Sequence, residues 1–561
     1  MAARVGEHIL SAGGNAIDAG VAAGLAINVL LFDRTSFGGV APIILYHARS
    51  GKLLTLDGLG VWPRLANLEH LQREYGGRMP EGILRSVTPG APDAWLTALE
   101  RFGTLTLGEV MEPALELAAD GAPTSTCVAG TLRGLRGSID KLDPVAVETF
   151  FPGRRAPDPG TVLVQPDLAR VFRALIEEEA RARRLGAERR AAIGQARDLF
   201  YKGWIAEEID AFHKAHGGWM RREDLAAHAV EVAPPLHTSY HGYDVYTCGP
   251  WCQGPLLIQF LNILGCFEVD SFKHNSFEYL HLLIEAMNLA LSDRENFYGD
   301  PHMVDVPING LISKEYAREQ AARIRSDRAA GAMPAPGNPW RFEPGSSHRS
   351  VAPIDVSRYV ASAGSPPGDT SYVATGDREG NLFSATPSDP VFHTPMIPGL
   401  GFSCSGRGSQ SRVVAGHPSA LAPGKRPRLT PNPALVMLGG RPFMAFGCPG
   451  ADSQTQAMLQ FFLNLVHFGM NPQQAIESPR VMSLNYPASF APHQYYPGRV
   501  DVESRIPAAV RARLHKAGHD VRVASEWAGV MSSVHAVLIN PSTGVLLGAA
   551  DPRRPGAAIG W

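Results

Sequence analysis

Four stretches of this 561-residue chain set two apolar runs around a polar or glycine-containing turn. They are IILYHARSGKLLTLD (residues 43–57), SYVATGDREGNLFSAT (371–386), LVMLGGRPFMAF (435–446) and VHAVLINPSTGVLLGAA (534–550). Each predicts a β-hairpin, and hairpins build antiparallel sheets. Other stretches repeat their apolar positions at helical spacing. NAIDAGVAAGLAINVL opens at Asn15, a residue type that caps helices by accepting first-turn N–H bonds. SFEYLHLLIEAMNLALSDRENF covers 276–297, and DSQTQAMLQFFLNLVHFG covers 452–469, ending in a glycine suited to a helix terminus. Residues 167–190, rich in Arg, Ala and Glu, predict an exposed helix pair. Antiparallel sheets covered by helices define a layered α+β fold.

The least patterned stretch, 329–368, is rich in Pro, Gly and Ser and runs directly into Asp369-Thr370 and a strand pattern. Long unstructured loops inside domains are uncommon and tend to be functional or disordered. A mid-chain threonine hydroxyl is a poor nucleophile. At a chain start it gains an adjacent α-amine with a pKa of about 8, which accepts the hydroxyl proton near neutral pH. A cut between Asp369 and Thr370 would supply that amine, the loop would let the cut end move away, and the strand would hold the hydroxyl rigidly. Taken alone, the stretch fits a threonine that simply opens a strand better.

Length suggests three or four domains at about 100–200 residues each. Hydrophobic residues make up 45% and charged residues 19%, with a net charge of −2, so no nucleic-acid or polyanion partner is expected. No apolar run reaches the roughly 20 residues of a membrane span. The nearest, 16–32, contains Asp18 and Asn28 and predicts a helix packed inside the protein. The six cysteines form no C-x-x-C pair, and Cys248 and Cys252 lack a second half at metal-ligand spacing. Buried free thiols are expected, which favours a reducing, cytoplasmic compartment. The chain opens almost directly on a helical pattern, so an incomplete N-terminus is expected and a periplasmic location stays open. No phosphate-binding loop, H-E-x-x-H or G-x-G-x-x-G is present, and GFSCSG (401–406) fails the nucleophile-elbow spacing. No cofactor and no metal are expected.

Motifs along the chain resemble, in order, those of the γ-glutamyltransferase family of N-terminal nucleophile hydrolases. They are AGGNAIDAGVAAGLA (12–26), TSFGGVAPIILYHARSGKLLTLDG (35–58), SVTPGAPDAW (86–95), GPWCQGP (249–255), SDRENFYGDP (292–301), GDTSYVATGDREGN (368–381), GKRPRLTPNPAL (424–435), CPGADSQTQ (448–456) and GAADPRRPGAAIGW (548–561). The resemblance implies a four-layer αββα sandwich made from one precursor. Self-cleavage would give a large segment, 1–369, and a small one, 370–561, associated as a heterodimer within one domain and open to further dimerisation. It implies Thr370 as the nucleophile of both cleavage and catalysis, and Ser388 as its hydroxyl partner. Gly450 and Ala451 would supply the N–H pair that meets the developing oxyanion.

The chain also departs from the family pattern. Leu59 stands where γ-glutamyl transferases carry the arginine that holds the donor's α-carboxylate. Leu429 and Thr430 stand at the serine pair that assists it, and Pro390 at an asparagine. A leucine cannot form a bidentate bond to a carboxylate. The expectation is therefore an amidohydrolase-like side branch that cleaves a small-molecule amide through an acyl-enzyme. Arg407 and Arg428 could meet an anionic acyl group, although structural ion pairs fit them slightly better, and His393 reads as a structural loop residue. The alternatives are true γ-glutamyl transfer or glutathione hydrolysis, and an uncleaved, non-catalytic binding protein.

Overall fold

The computed structural model describes residues 1–346, 349, 351–361 and 369–561. Its core is two antiparallel sheets laid face to face. The first has five strands in the order Val232–Ala233, Lys52–Leu56, Ile43–His47, Leu382–Ala385 and Val373–Gly376. The second has six, in the order Leu546–Ala550, His535–Ile539, Arg441–Gly447, Ala434–Leu438, Tyr243–Thr247 and Leu236–Tyr240. Sequence on both sides of the Asp369–Thr370 bond contributes strands to each sheet, with Ile43–His47 paired directly to Leu382–Ala385.

The two-residue period of a strand assigns the faces. In the second sheet Leu435 lies opposite Ala445, and Ala445 opposite Val537; these face the first sheet, where Ile44 and Leu382 meet them. Their neighbours Val436, Met444 and Leu538 turn outward onto a helical layer that includes Gly254–Leu264, Phe277–Phe297 and Gln454–Val466. The outward face of the first sheet, with Ile43, Leu45, Phe383 and Ala385, is covered by Ala16–Leu30 and Ala91–Phe102. Helices, sheet, sheet and helices give the αββα sandwich.

Local signals explain the helices. Asn15 accepts from the N–H groups of Ile17 and Asp18, while Asp18 returns a bond to the Asn15 N–H. The helix it starts is buried almost throughout. It lies close enough to the first sheet that a Cβ on Gly20 would come within 2.2 Å of the Phe383 ring. Ser276 caps Phe277–Phe297, its hydroxyl accepting from the Tyr279 N–H at 3.3 Å.

Three expectations need correction. The strand near the candidate nucleophile begins at Val373, three residues beyond Thr370. The helix pair of 167–190 is Pro166–Arg184 and Arg189–Lys202, and it is not simply exposed: Leu168, Val171, Phe172 and Leu175 enter the core. Periodicity identified the helices, whereas the core they meet is built from distant sequence. Cys248, Cys252, Cys404 and Cys448 are buried free thiols, but Cys266 is exposed. The end of the proline- and glycine-rich stretch, 362–368, lies outside the described residues. Among the described residues no helix is long and apolar enough to cross a membrane.

Candidate active site

Thr370 lies in the link that enters the edge strand of the first sheet. The Thr370 N–H donates to the Arg34 carbonyl at 3.3 Å and the Ser371 N–H to Pro387 at 2.9 Å. Ser388 lies on the antiparallel return of the chain, where its N–H donates to the Val40 carbonyl at 2.9 Å. These bonds bring the two hydroxyls together: Thr370 Oγ1 and Ser388 Oγ are 2.7 Å apart, and both residues are buried.

Thr370 also donates to Asp369 Oδ1 at 3.2 Å. Arg407, fully buried, donates from one Nη to Asp369 Oδ2 at 2.8 Å and to Ser388 Oγ. Its Nε lies 3.0 Å from Asp389 Oδ1, and Asp389 Oδ2 accepts from Ser405 at 2.6 Å. Burial pushes the Asp389 carboxyl upward, opposed chiefly by the Arg407 charge. Burial likewise lowers His393 to about 4, so its imidazole is neutral at ordinary pH. Sequence reasoning passed over Asp369 and Asp389; two acids at and beside the expected reacting residues were the available signal.

The backbone here is strained. Thr370 has φ 101° and Asp389 φ 85°, conformations costly for residues with a Cβ and especially for a β-branched one. A φ near that of Thr370 turns Cβ towards the carbonyl carbon of Asp369.

The Gly450–Ala451 turn lies at the same end of the sandwich. The strand Arg441–Gly447 leads into it, and the Tyr372 ring packs so closely on Gly447 that a Cβ there would meet it at 2.4 Å. Gly450 has φ 130° and Ala451 φ 52°. A side chain on Gly450 would collide with Ser532 Oγ at 2.1 Å. Among the described residues no protein acceptor takes the N–H of either Gly450 or Ala451. Two adjacent free donors ahead of the helix Gln454–Val466 suit a developing anion. Asp452 fixes the turn from behind, accepting from Arg294 at 2.6 Å, from the Ser489 N–H at 2.7 Å and from Gln253.

The remaining predicted residues are engaged elsewhere. Arg428 donates to Glu295 at 3.0 Å and to the Arg294 carbonyl at 3.0 Å. Glu295 also takes Arg412 and His417; although burial acts to raise its carboxyl, the charges of Arg412 and Arg428 and the His417 hydrogen bond hold it well below the usual range. Leu59 packs with Val40, Cys248, Trp251, Cys252 and Leu429, an apolar cluster in which Val40 bridges to Ser388. Thr430 accepts from Gln410 at 3.0 Å. Arg554, near the C-terminus, is a cation that motif reading did not single out. Burial and the charge of Arg34 lower it, and it lies within electrostatic range of Asp369.

Among the described residues two groups have donor sets a metal could use: Asp369, Asp389 and His393, and the surface trio His241, Asp270 and His467. In the first, the Arg407 guanidinium hydrogen-bonds Asp369, pairs electrostatically with Asp389 and supplies the positive charge. In the second, His467 is tied to Asp270 at 2.6 Å and to the Tyr240 hydroxyl at 2.7 Å.

The family model described as Gamma-glutamyltranspeptidase matches residues 2–561. The chain is 30% identical to the "Glutathione hydrolase-like YwrD proenzyme" of Bacillus subtilis (strain 168), over 100% of this chain and 97% of that protein. It is 30% identical to the "Acylase ACY 1 proenzyme" of Pseudomonas sp. (strain SE83), over 100% and 92%. Among solved structures it superposes on the cephalosporin acylase from Bacillus halodurans with a TM-score of 0.84 and 29% identity, covering 100% of this chain and 94% of that one. With the sandwich and the whole-length match on the same residues, the chain belongs to the gamma-glutamyltranspeptidase family, whose members are self-processing amide hydrolases and acyltransferases.

Proposed function

We propose that Thr370 is the nucleophile of a self-processing amidohydrolase, released by cleavage of the Asp369–Thr370 bond. The observation that carries this is the buried Thr370–Ser388 hydroxyl pair on a strained backbone directly after that bond. Cleavage yields segments 1–369 and 370–561, which stay associated because both sheets contain strands of each. The new Thr370 amine accepts the hydroxyl proton as Oγ1 attacks a substrate amide carbonyl. The N–H groups of Gly450 and Ala451 stabilise the oxyanion, and the C–N bond breaks to leave an acyl-enzyme. Water or an amine then releases the acyl group. Ser388 orients the Thr370 oxygen throughout.

The substrate is a small amide whose acyl group is not glutamyl. Leu59 and Leu429 form apolar wall where a glutamyl α-carboxylate would need donors, and Arg428 is already committed to Glu295. Arg407 is different: cleavage separates Asp369 from the chain of the nucleophile, so the carboxylate paired with this guanidinium becomes displaceable by an anionic acyl group. The proenzyme relatives named glutathione hydrolase-like and acylase frame the choice of test substrates.

Denaturing gel electrophoresis of the purified protein tests the reading. Two bands corresponding to 1–369 and 370–561 are expected, with Thr at the start of the smaller one, and a single uncleaved band in Thr370→Ala. A persistent single band in the parent protein, or two bands in Thr370→Ala, overturns it. Hydrolysis of short dicarboxylic monoamides, with none of glutathione at millimolar concentration, is the expected substrate profile.

A further inference from the structure

Maturation and catalysis face different proton problems. In the mature protein the Thr370 α-amine is the base. Before cleavage that nitrogen is an amide, its lone pair is delocalised into the Asp369 carbonyl, and it cannot accept a proton. The precursor therefore needs another acceptor for the Thr370 hydroxyl proton.

The hydrogen-bond directions identify one. A guanidinium can only donate, so Ser388 Oγ accepts from Arg407. The single Ser388 proton is then available to the oxygen 2.7 Å away, Thr370 Oγ1. With that oxygen accepting, the Thr370 proton points at its remaining partner, Asp369 Oδ1, at 3.2 Å. A carboxylate is an acceptor only, and this one is kept in place by Arg407 on its other oxygen at 2.8 Å. His393 lies within 4.8 Å of the Asp369 and Asp389 carboxylates, but among the described residues it makes no hydrogen bond to Thr370.

We infer that Asp369 is the catalytic base of self-cleavage, acting on the peptide bond formed by its own carbonyl. This rests on the reading of Thr370 as the nucleophile. Asp369 Oδ1 takes the hydroxyl proton as Thr370 Oγ1 bonds to the Asp369 carbonyl carbon, giving a tetrahedral oxyanion. The carboxylic acid so formed returns the proton to the departing Thr370 nitrogen as the C–N bond breaks. The product is an ester between the Asp369 acyl group and Thr370 Oγ1, with a free α-amine. One water hydrolyses the ester, restoring the hydroxyl and leaving a carboxylate on Asp369. The base stays with the large segment, so the residue that drives maturation differs from the amine that drives turnover.

The test follows cleavage of full-length precursors by gel, with Thr370→Ala as the control for the nucleophile. General-base assistance typically contributes about 10²–10⁴-fold, so near-isosteric Asp369→Asn is expected to cleave at least about 100-fold more slowly than the parent. Asp369→Ala is expected to be similarly slow and to regain cleavage with added formate, which can occupy the space of the missing carboxylate. Asp369→Asn cleaving within about threefold of the parent overturns the inference, since general-base loss should exceed that. So does an Asp369→Ala precursor that keeps the parent circular dichroism spectrum yet ignores formate, because the residue would then be only a clamp for Arg407. Cleavage in Thr370→Ala instead removes the nucleophile assignment itself, a separate failure.

Discussion

Arg407 bonds Asp369 at 2.8 Å across the peptide bond where the chain is proposed to divide, with both side chains buried. Its second carboxylate, Asp389, lies on the same side of that bond as the proposed nucleophile. One guanidinium thus balances two buried acids in the precursor and retains only one of them in its own segment after the cut.

Replacing Arg407 should be severe. Arg407→Met leaves Asp369 and Asp389 buried without their cation, and breaking a buried pair from one side costs about 3–5 kcal/mol. Chemical denaturation should report a loss of that order. Arg407→Lys should recover only part, because an ammonium cannot reproduce the forked contacts to Asp369 and Asp389. A denaturation midpoint unchanged in Arg407→Met would contradict the pairing.

Gly450→Ala should lower kcat by about 10²–10³-fold with KM little changed, the loss typical of a displaced oxyanion donor. The cause is local: φ 130° and the contact with Ser532 leave no room for a Cβ, so the turn must move. Steady-state kinetics on a cleaved amide would reveal it, and a variant with unaltered kcat would remove this turn from the mechanism.

Leu59→Arg should not create γ-glutamyl activity. The side chain would enter an apolar cluster of Val40, Cys248, Trp251, Cys252 and Leu429, and Asp57, the carboxylate within electrostatic range of Cys248, is already paired with Arg426 at 2.9 Å. An unpaired buried charge costs several kcal/mol, so the melting temperature should fall sharply. Release of glutamate from glutathione by this single variant would show that Leu59 alone blocks that chemistry.

Stability should fall between pH 6.5 and 4. Burial lowers His228, His393, His417 and His535 to about 4, and His213 and His519 to about 3. Unfolding returns each to about 6.5, so the unfolded chain binds more protons in this window and stability rises with pH. Their contribution is complete above about 6.5 and is lost as pH drops through the folded values. Asp57, raised by burial to about 7, and Asp293, raised to about 6, act with the opposite sign. Burial also raises Asp143, Glu179, Glu285 and Asp389 and lowers His47, His274, His467 and His493, so ten imidazoles against six carboxyls leave a net acid sensitivity. Thermal melts at pH 7 and pH 4.5 measure it, and a higher melting temperature at pH 4.5 would refute it.

Much of the architecture could be read along the chain because its signals are local. Alternation located the hairpins, Asn15 marked a helix start by the bonds its own side chain makes, and the ordered motifs singled out Thr370, Ser388, Gly450 and Ala451. Tertiary structure decided how the charges are used. Arg407 and Arg428 are alike in sequence, yet one meets Asp369 beside the proposed nucleophile and the other meets Glu295, 133 positions away, in a supporting network. Hydrophobic period and capping depend on neighbours a few residues apart, whereas the partner of a buried charge depends on which distant segments the folded layers bring into contact.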